Sequence, residues 1–179
     1  MTATAPPEQR VVDGTIMFTD IVGFTEFTAI RGDDEALTLL ARQEQIVRAH
    51  LCEDSRIVKE LGDGLMIWFA DAREAVETSI VLQERFEEAT LETDAPLWVR
   101  IGVHAGRQTR RGQDLLGHDV NVAARIMDVA GAGEVLVSEE TLNRIEAELP
   151  DVSFEQLGPV VMKGIPTPVN LYRAERRVA

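Results

Sequence analysis

The chain has 179 residues, 45% hydrophobic and 27% charged, the mix of one soluble globular domain. Asp and Glu total 31 against 18 Lys and Arg, a net charge of −13 that excludes a general nucleic-acid binder and an anionic membrane surface as partner, though not a small anion held by a local cationic cluster. The single Cys52 excludes a disulfide framework and a cysteine-rich zinc site, and it suits a reducing, cytoplasmic compartment.

Residues 1–12 read as a disordered lead-in, with two prolines and no apolar signal-peptide core. No run reaches the roughly 18 apolar residues of a membrane span, so no membrane insertion is expected. Residues 13–174 read as one domain and 175–179 as a tail. Thr15–Thr19 is a β-rich run that breaks at Asp20–Thr25. A long helix follows, capped by Asp33 or Asp34, with Leu37, Leu40, Ile46 and Val47 at helical spacing. Arg56–Leu61 and Leu65–Phe69 are short apolar runs around a Gly62-Asp63-Gly64 hairpin turn. Asp71 caps a second helix carrying Ala75, Ile80, Leu82 and Phe86, and Leu97–Val103 is a fourth strand. The order β-α-β-β-α-β predicts an α+β, ferredoxin-like palm-type sheet with helices on one face. A C-terminal α/β extension adds a polar loop (Arg107–Gly112), a helix from Asp119 to Val129, a strand over Glu134–Val137, a helix from Ser138 and a hairpin ending in Val169–Tyr172.

In that topology the first and second strands are parallel, with the third between them. The end of the first strand, at Asp20, and the hairpin tip, at Asp63, then lie at one edge of the sheet. Two unpaired carboxylates there repel, and a divalent cation relieves the repulsion. Gly23 lets backbone N–H groups approach a polyphosphate next to Asp20. The alternative is ordinary turn chemistry at both aspartates. His104, after an apolar strand, reads as a packed or hydrogen-bonded histidine. Cys52 reads as inert, and Trp68, Trp98, Phe69 and Phe86 as core. Glu84–Glu92 reads as a solvated helix face.

Phe18-Thr19-Asp20-Ile21-Val22-Gly23-Phe24-Thr25 resembles the opening motif of class III nucleotidyl cyclases. Lys59-Glu60-Leu61-Gly62-Asp63-Gly64 is similar to that family's second motif, and Arg100-Ile101-Gly102-Val103-His104-Ala105-Gly106 to its third. Asp114-Leu115-Leu116-Gly117 followed by Asn121-Val122-Ala123-Ala124-Arg125 resembles the fourth, and Val161-Met162-Lys163-Gly164 the last. The ordered set covers nearly the whole chain.

The resemblance implies an adenylyl cyclase that converts ATP to cyclic AMP and pyrophosphate. It implies two divalent ions, Mg²⁺ or Mn²⁺, on Asp20, Asp63 and the Ile21 backbone carbonyl. Arg100, Lys163 and the Gly23-Phe24-Thr25 turn would contact the triphosphate. Asn121 would orient the ribose and Arg125 would stabilise the transition state. Lys59 and Asp114 would read the purine. Lysine donates and aspartate accepts, which matches adenine's N1 acceptor and 6-amino donor rather than guanine. A head-to-tail homodimer is implied, with metal ligands from one subunit and the purine pair, Asn121 and Arg125 from the other. This chain carries both halves.

Overall fold

The computed structural model describes residues 10–178. One mixed sheet of eight strands organises the chain, with strand order β2-β3-β1-β4-β6-β8-β7 and β5 appended to β4. In chain order these are β1 (Arg10–Ile21), β2 (Ser55–Leu61), β3 (Gly64–Phe69), β4 (Val99–Arg111), β5 (Asp114–Leu116), β6 (Val135–Ser138), β7 (Val152–Val160) and β8 (Val169–Arg176). The helices are α1 (Phe24–Arg31), α2 (Asp33–His50), α3 (Ala72–Leu91), α4 (His118–Val129) and α5 (Glu139–Leu142). β1 and β2 are both antiparallel to β3, so they run parallel with β3 between them, as expected. The pair β4–β6 is parallel.

Alternation along the central strands builds two cores. Met17, Ile21, Ile67, Phe69, Val99, Ile101 and Val103 face α2 and α3, where Leu39, Val47, Ile80, Leu82 and Phe86 cover them. Ile16, Phe18 and Met66 face the other way and meet Val120 and Ala123 of α4. The expected α+β architecture is present. The two crossover helices share one face, and α4, in the C-terminal extension, covers the opposite one. Burying each Leu, Ile or Phe side chain contributes about 1.5–3 kcal/mol. An exposed ion pair such as Arg85–Glu88 contributes about 0–1 kcal/mol, so these clusters and not surface charge hold the layers.

Several elements differ from the sequence reading. β1 begins at Arg10, so the lead-in assigned to residues 1–12 meets strand at Arg10–Val12, which pair with Arg110–Gln108; residues 1–9 lie outside the described residues. The segment after Asp20 holds a separate helix, α1, divided from α2 by Gly32. Gly32 is the N-cap of α2, while Asp33 and Asp34 lie in its first turn, where their charge meets the positive end of the helix. The buried stripe of α2 is Ala36, Leu39, Gln43 and Val47, while Leu37 is 63% exposed. The Arg107–Gly112 loop is strand through Arg111, because Arg107–Arg110 pair with β1 and β5 folds back onto Thr109–Arg111. The helix at Ser138 is one turn, capped by the Ser138 hydroxyl. β8 continues to Arg176, inside the residues read as tail, and Ala179 lies outside the described residues. Trp98 is 44% exposed rather than core, and Trp68 is half-buried with its indole N–H on Gln108. Asp71 caps α3 as expected, accepting from the Arg73 and Glu74 amides.

The glycines of β4 set how closely α4 lies on the sheet. A Cβ on Gly102 would fall 2.3 Å from the Met127 backbone nitrogen, and one on Gly106 would fall 2.0 Å from an Asp119 carboxylate oxygen. The helix backbone therefore rests directly on β4. Gly102→Ala forces α4 outward, and we expect a loss of about 1–3 kcal/mol, the usual cost of overpacking. Urea denaturation of the variant checks this, and an unchanged midpoint contradicts the close approach.

Candidate active site

Asp20 is the penultimate residue of β1 and is paired on both sides, opposite Gly64 of β3 and Arg100 of β4. The β2–β3 turn then brings Asp63 beside it, and the Asp63 carbonyl accepts the Ile21 amide at 3.2 Å. The Asp63 carboxyl is raised above its ordinary value, first by burial and then by the charge of Asp20, while Arg100 opposes the shift. Sequence reasoning expected this convergence, and the register delivers it.

Arg100 answers part of the negative charge. Its Nε and Nη2 both donate to Asp20 Oδ2, at 2.9 and 2.7 Å, and its Nη1 donates to the Asp128 carbonyl at 3.0 Å. Oδ1 takes no part in this pair. Asp128 in turn holds Arg125, whose Nη1 lies 2.8 Å from its Oδ2. The residue expected at the triphosphate thus sits against a carboxylate, linking β1 to the C-terminal turn of α4.

Two carboxylates with a raised Asp63 fit a hard divalent cation, since oxygen donors suit Mg²⁺ and Mn²⁺. Among the described residues no group of three or more His, Cys, Asp or Glu side chains is arranged to hold a metal. The remaining ligands would therefore be the Ile21 carbonyl, phosphate oxygens and water. Gly23, at φ 75°, is the N-cap of α1 and carries no side-chain cap. Phe24 and Thr25 open that helix, so their N–H groups are among its orphan donors beside Asp20.

Lys59 and Asp114 come from β2 and β5. A register shift between Ile57 and Lys59 marks a bulge in β2. Lys59 Nζ reaches Asp114 Oδ2 at 2.9 Å, with the two side chains 35% and 39% exposed. The lysine hydrogen bond holds the Asp114 carboxyl below its ordinary value. Among the described residues no hydrogen bond or ion pair joins this couple to Asp20 or Asp63. Asn121 and Arg125 sit one turn apart on the exposed face of α4, while Val122, Ala123 and Ile126 face the core. Lys163 is exposed in the β7–β8 connection, where buried Met162 and Ile165 join Val122, Ile126 and Leu171 in one cluster and anchor the loop.

His104 is buried, with Nδ1 2.7 Å from the Ser138 hydroxyl and Nε2 3.4 Å from Asp119; burial pushes its pKa down. It is the packed, hydrogen-bonded histidine that the sequence suggests. The Cys52 thiol lies 3.0 Å from a Glu74 carboxylate oxygen, and burial raises its pKa, which agrees with an unreactive side chain. Gln43 went unnoticed in the sequence. The only signal was a polar residue on the apolar stripe of α2, and its amide donates to the Asp63 carbonyl at 3.0 Å. A cleft of about 420 Å³ lies beside His104 between α4, α5 and the β7–β8 connection, and none of Asp20, Lys59, Asp63, Arg100, Asp114, Asn121, Arg125 or Lys163 lines it.

The family model for the Adenylate and Guanylate cyclase catalytic domain matches residues 7–175, and the chain belongs to that family. It is 31% identical over 169 residues to serine/threonine-protein kinase pkn2 of Myxococcus xanthus, covering 90% of this chain and 20% of that protein. It is 29% identical over 165 residues to a pH-sensitive adenylate cyclase of Mycobacterium tuberculosis, covering 90% of this chain and 40% of that protein. The chain therefore spans less than half the length of these curated relatives. Among solved structures, the adenylyl cyclase CyaB from P. aeruginosa superposes with a TM-score of 0.79 at 25% identity, over 96% of this chain and 97% of that one. An adenylate cyclase of Trypanosoma brucei, solved in its monomeric state, superposes with a TM-score of 0.79 at 25% identity, over 93% and 91%. No helix among the described residues is long and apolar enough to cross a membrane.

Because its carboxyl is raised, Asp63 is a charge that the folded chain disfavours without metal. We expect Asp63→Asn to raise the melting temperature in metal-free buffer at pH 7.5. The gain should shrink as pH falls towards 4, where the wild-type carboxyl takes up its proton and the two chains become alike. Thermal melts across that range check the sign, and a lower melting temperature at pH 7.5 contradicts it.

Proposed function

We propose that this chain is an adenylyl cyclase domain that converts ATP to 3′,5′-cyclic AMP and pyrophosphate at sites shared between two head-to-tail copies. The observation that carries the base choice is the Lys59–Asp114 ion pair, a donor and an acceptor held together at the sheet edge. A pair this exposed contributes about 0–1 kcal/mol, so exchanging the direct contact for an adenine edge costs little. Lys59 then donates to N1 and Asp114 accepts from the 6-amino group. The names of the cyclase relatives support the same substrate.

Asp20, Asp63 and the Ile21 carbonyl would hold two divalent ions, Mg²⁺ or Mn²⁺, which lower the pKa of the ribose 3′ hydroxyl and neutralise the phosphates. The remaining chemistry belongs to the chain. A bond forms between O3′ and the α-phosphorus as the hydroxyl proton passes to water and the bond to the bridging oxygen of the β-phosphate breaks, and pyrophosphate leaves. Asn121 orients the ribose so that O3′ lies in line. Arg125, a planar fork that stays charged, meets the negative charge developing on the phosphoryl group. Arg100 would turn from Asp20 to the triphosphate, with Lys163 as a second cation there. The free N–H groups at Gly23, Phe24 and Thr25 cradle phosphate oxygens.

The head-to-tail dimer rests on the family resemblance, which assigns the metal aspartates to one copy and the purine pair, Asn121 and Arg125 to the other. Each chain carries both sets, so two copies complete two sites. No nucleic acid and no membrane insertion enter this reading, and an ATP-rich, reducing cytoplasm suits it.

Two experiments test it. Lys59→Glu with Asp114→Cys should weaken ATP use and admit some GTP use, measured by chromatography of the cyclic products. Unchanged ATP preference would move base reading elsewhere. Asp63→Ala and Arg125→Ala should each be nearly inactive alone. On mixing, half of randomly exchanged dimers are mixed and each has one intact site, so about a quarter of wild-type activity returns. A mixture that stays inactive after verified subunit exchange refutes the shared site.

A further inference from the structure

We propose that Gln43 is a positioning residue, which fixes the main-chain turn carrying Asp63 against the end of β1 and so sets the spacing of the two metal-binding aspartates. This role rests on the metal reading given above. Gln43 is 2% exposed, a polar side chain on an otherwise apolar stripe of α2, where leucine would fill the space. Its amide is used at both ends. Nε2 donates to the Asp63 carbonyl at 3.0 Å, and Oε1 accepts from the Thr19 hydroxyl at 3.4 Å. Thr19, 1% exposed, accepts from the Leu65 amide at 3.2 Å. The Ile21 amide supplies a second donor to the Asp63 carbonyl, at 3.2 Å.

The network therefore grips the turn at two points, the Asp63 carbonyl and the amide two residues on. It fastens that turn to Thr19 and Ile21, the residues flanking Asp20. The amide orientation is dictated by its neighbours, because turning Gln43 over would set Oε1 against the Asp63 carbonyl. A leucine or methionine at position 43 would pack as well but hold nothing. The Asp63 carbonyl would keep one donor, and the Thr19 hydroxyl would lose its acceptor inside the protein. Partners that orient metal ligands are commonly worth 10–100-fold in metal affinity or activity.

The test uses the whole chain and Mn²⁺ as the probe. Free Mn²⁺ is followed by its electron paramagnetic resonance signal in the presence of 3′-deoxy-ATP, which cannot cyclise, against the same titration without protein. Gln43→Met and Thr19→Val should each raise the half-saturating Mn²⁺ concentration about tenfold, while Thr19→Ser, which keeps the hydroxyl, should restore wild-type binding. Hydrogen exchange at the Leu65 amide should quicken in the first two variants and not at Val103 in β4. Wild-type Mn²⁺ binding in Gln43→Met overturns the role, whatever happens to its melting temperature. If that variant does not fold, Thr19→Val decides by the same titration. A wild-type chain that binds Mn²⁺ but makes no cyclic AMP removes the adenylyl cyclase reading and leaves this comparison decisive. A wild-type chain that binds no Mn²⁺ overturns the positioning role together with the metal site.

Discussion

The two-sided pairing of β1 is the constraint on which the rest of the molecule depends. This strand is hydrogen-bonded along its length to β4 and over its second half to β3. Its alternation sends Met17 and Ile21 to the α2–α3 core and Ile16 and Phe18 to the α4 core. A slip of one residue would exchange those faces, so burial on both sides locks the register. The same register sets Asp20 between Gly64 and Arg100. The chemistry at the sheet edge is thus a by-product of hydrophobic alternation further down the strand.

Charge is distributed with the same economy. The chain is strongly acidic overall, yet Arg100, Arg125 and Lys59 are each held by a specific acceptor. Arg100 and Arg125 are both held through Asp128, one by its carbonyl and one by its carboxylate. Lys59 is held by Asp114. Each of these cations is held on an acceptor that also orients it, so less side-chain entropy remains to be lost in a further contact. Local pairing, not net charge, decides what the surface can bind.

Much of this was legible in the sequence where the signal is local. The hairpin around Asp63, the Asp71 cap and the α4 helix follow from turn chemistry, capping and periodicity. The approach of Asp20 to Asp63 followed from the order of elements. What escaped is what periodicity cannot see. Arg107–Arg111 is mostly polar and exposed, so its strand character comes from pairing with β1 and β5 and leaves no hydrophobic trace. Leu37 matched a helical pattern yet faces solvent, because the stripe of α2 lies two residues further round, at Leu39. Trp98 looks like core by composition, but no element covers it fully. Gln43 interrupts the stripe, and only its two hydrogen-bonding ends explain why. Arg100 was expected at phosphate, and the pairing with Asp20 depends on a contact between residues 80 apart in the chain.

That separation bears on how the molecule forms. Asp20 and Arg100 meet only when β4 docks on β1, with three helices and a hairpin lying between them in the chain. Closing so long a loop precedes any reward from the contact, and topologies rich in such contacts fold slowly. The central ladder is also where the two hydrophobic layers join, so it belongs to the last unit to open in native-state fluctuations. Completion of the charged edge and closure of the central ladder are consequently one event, and a fragment that stops short of β4 carries the two aspartates without their arginine.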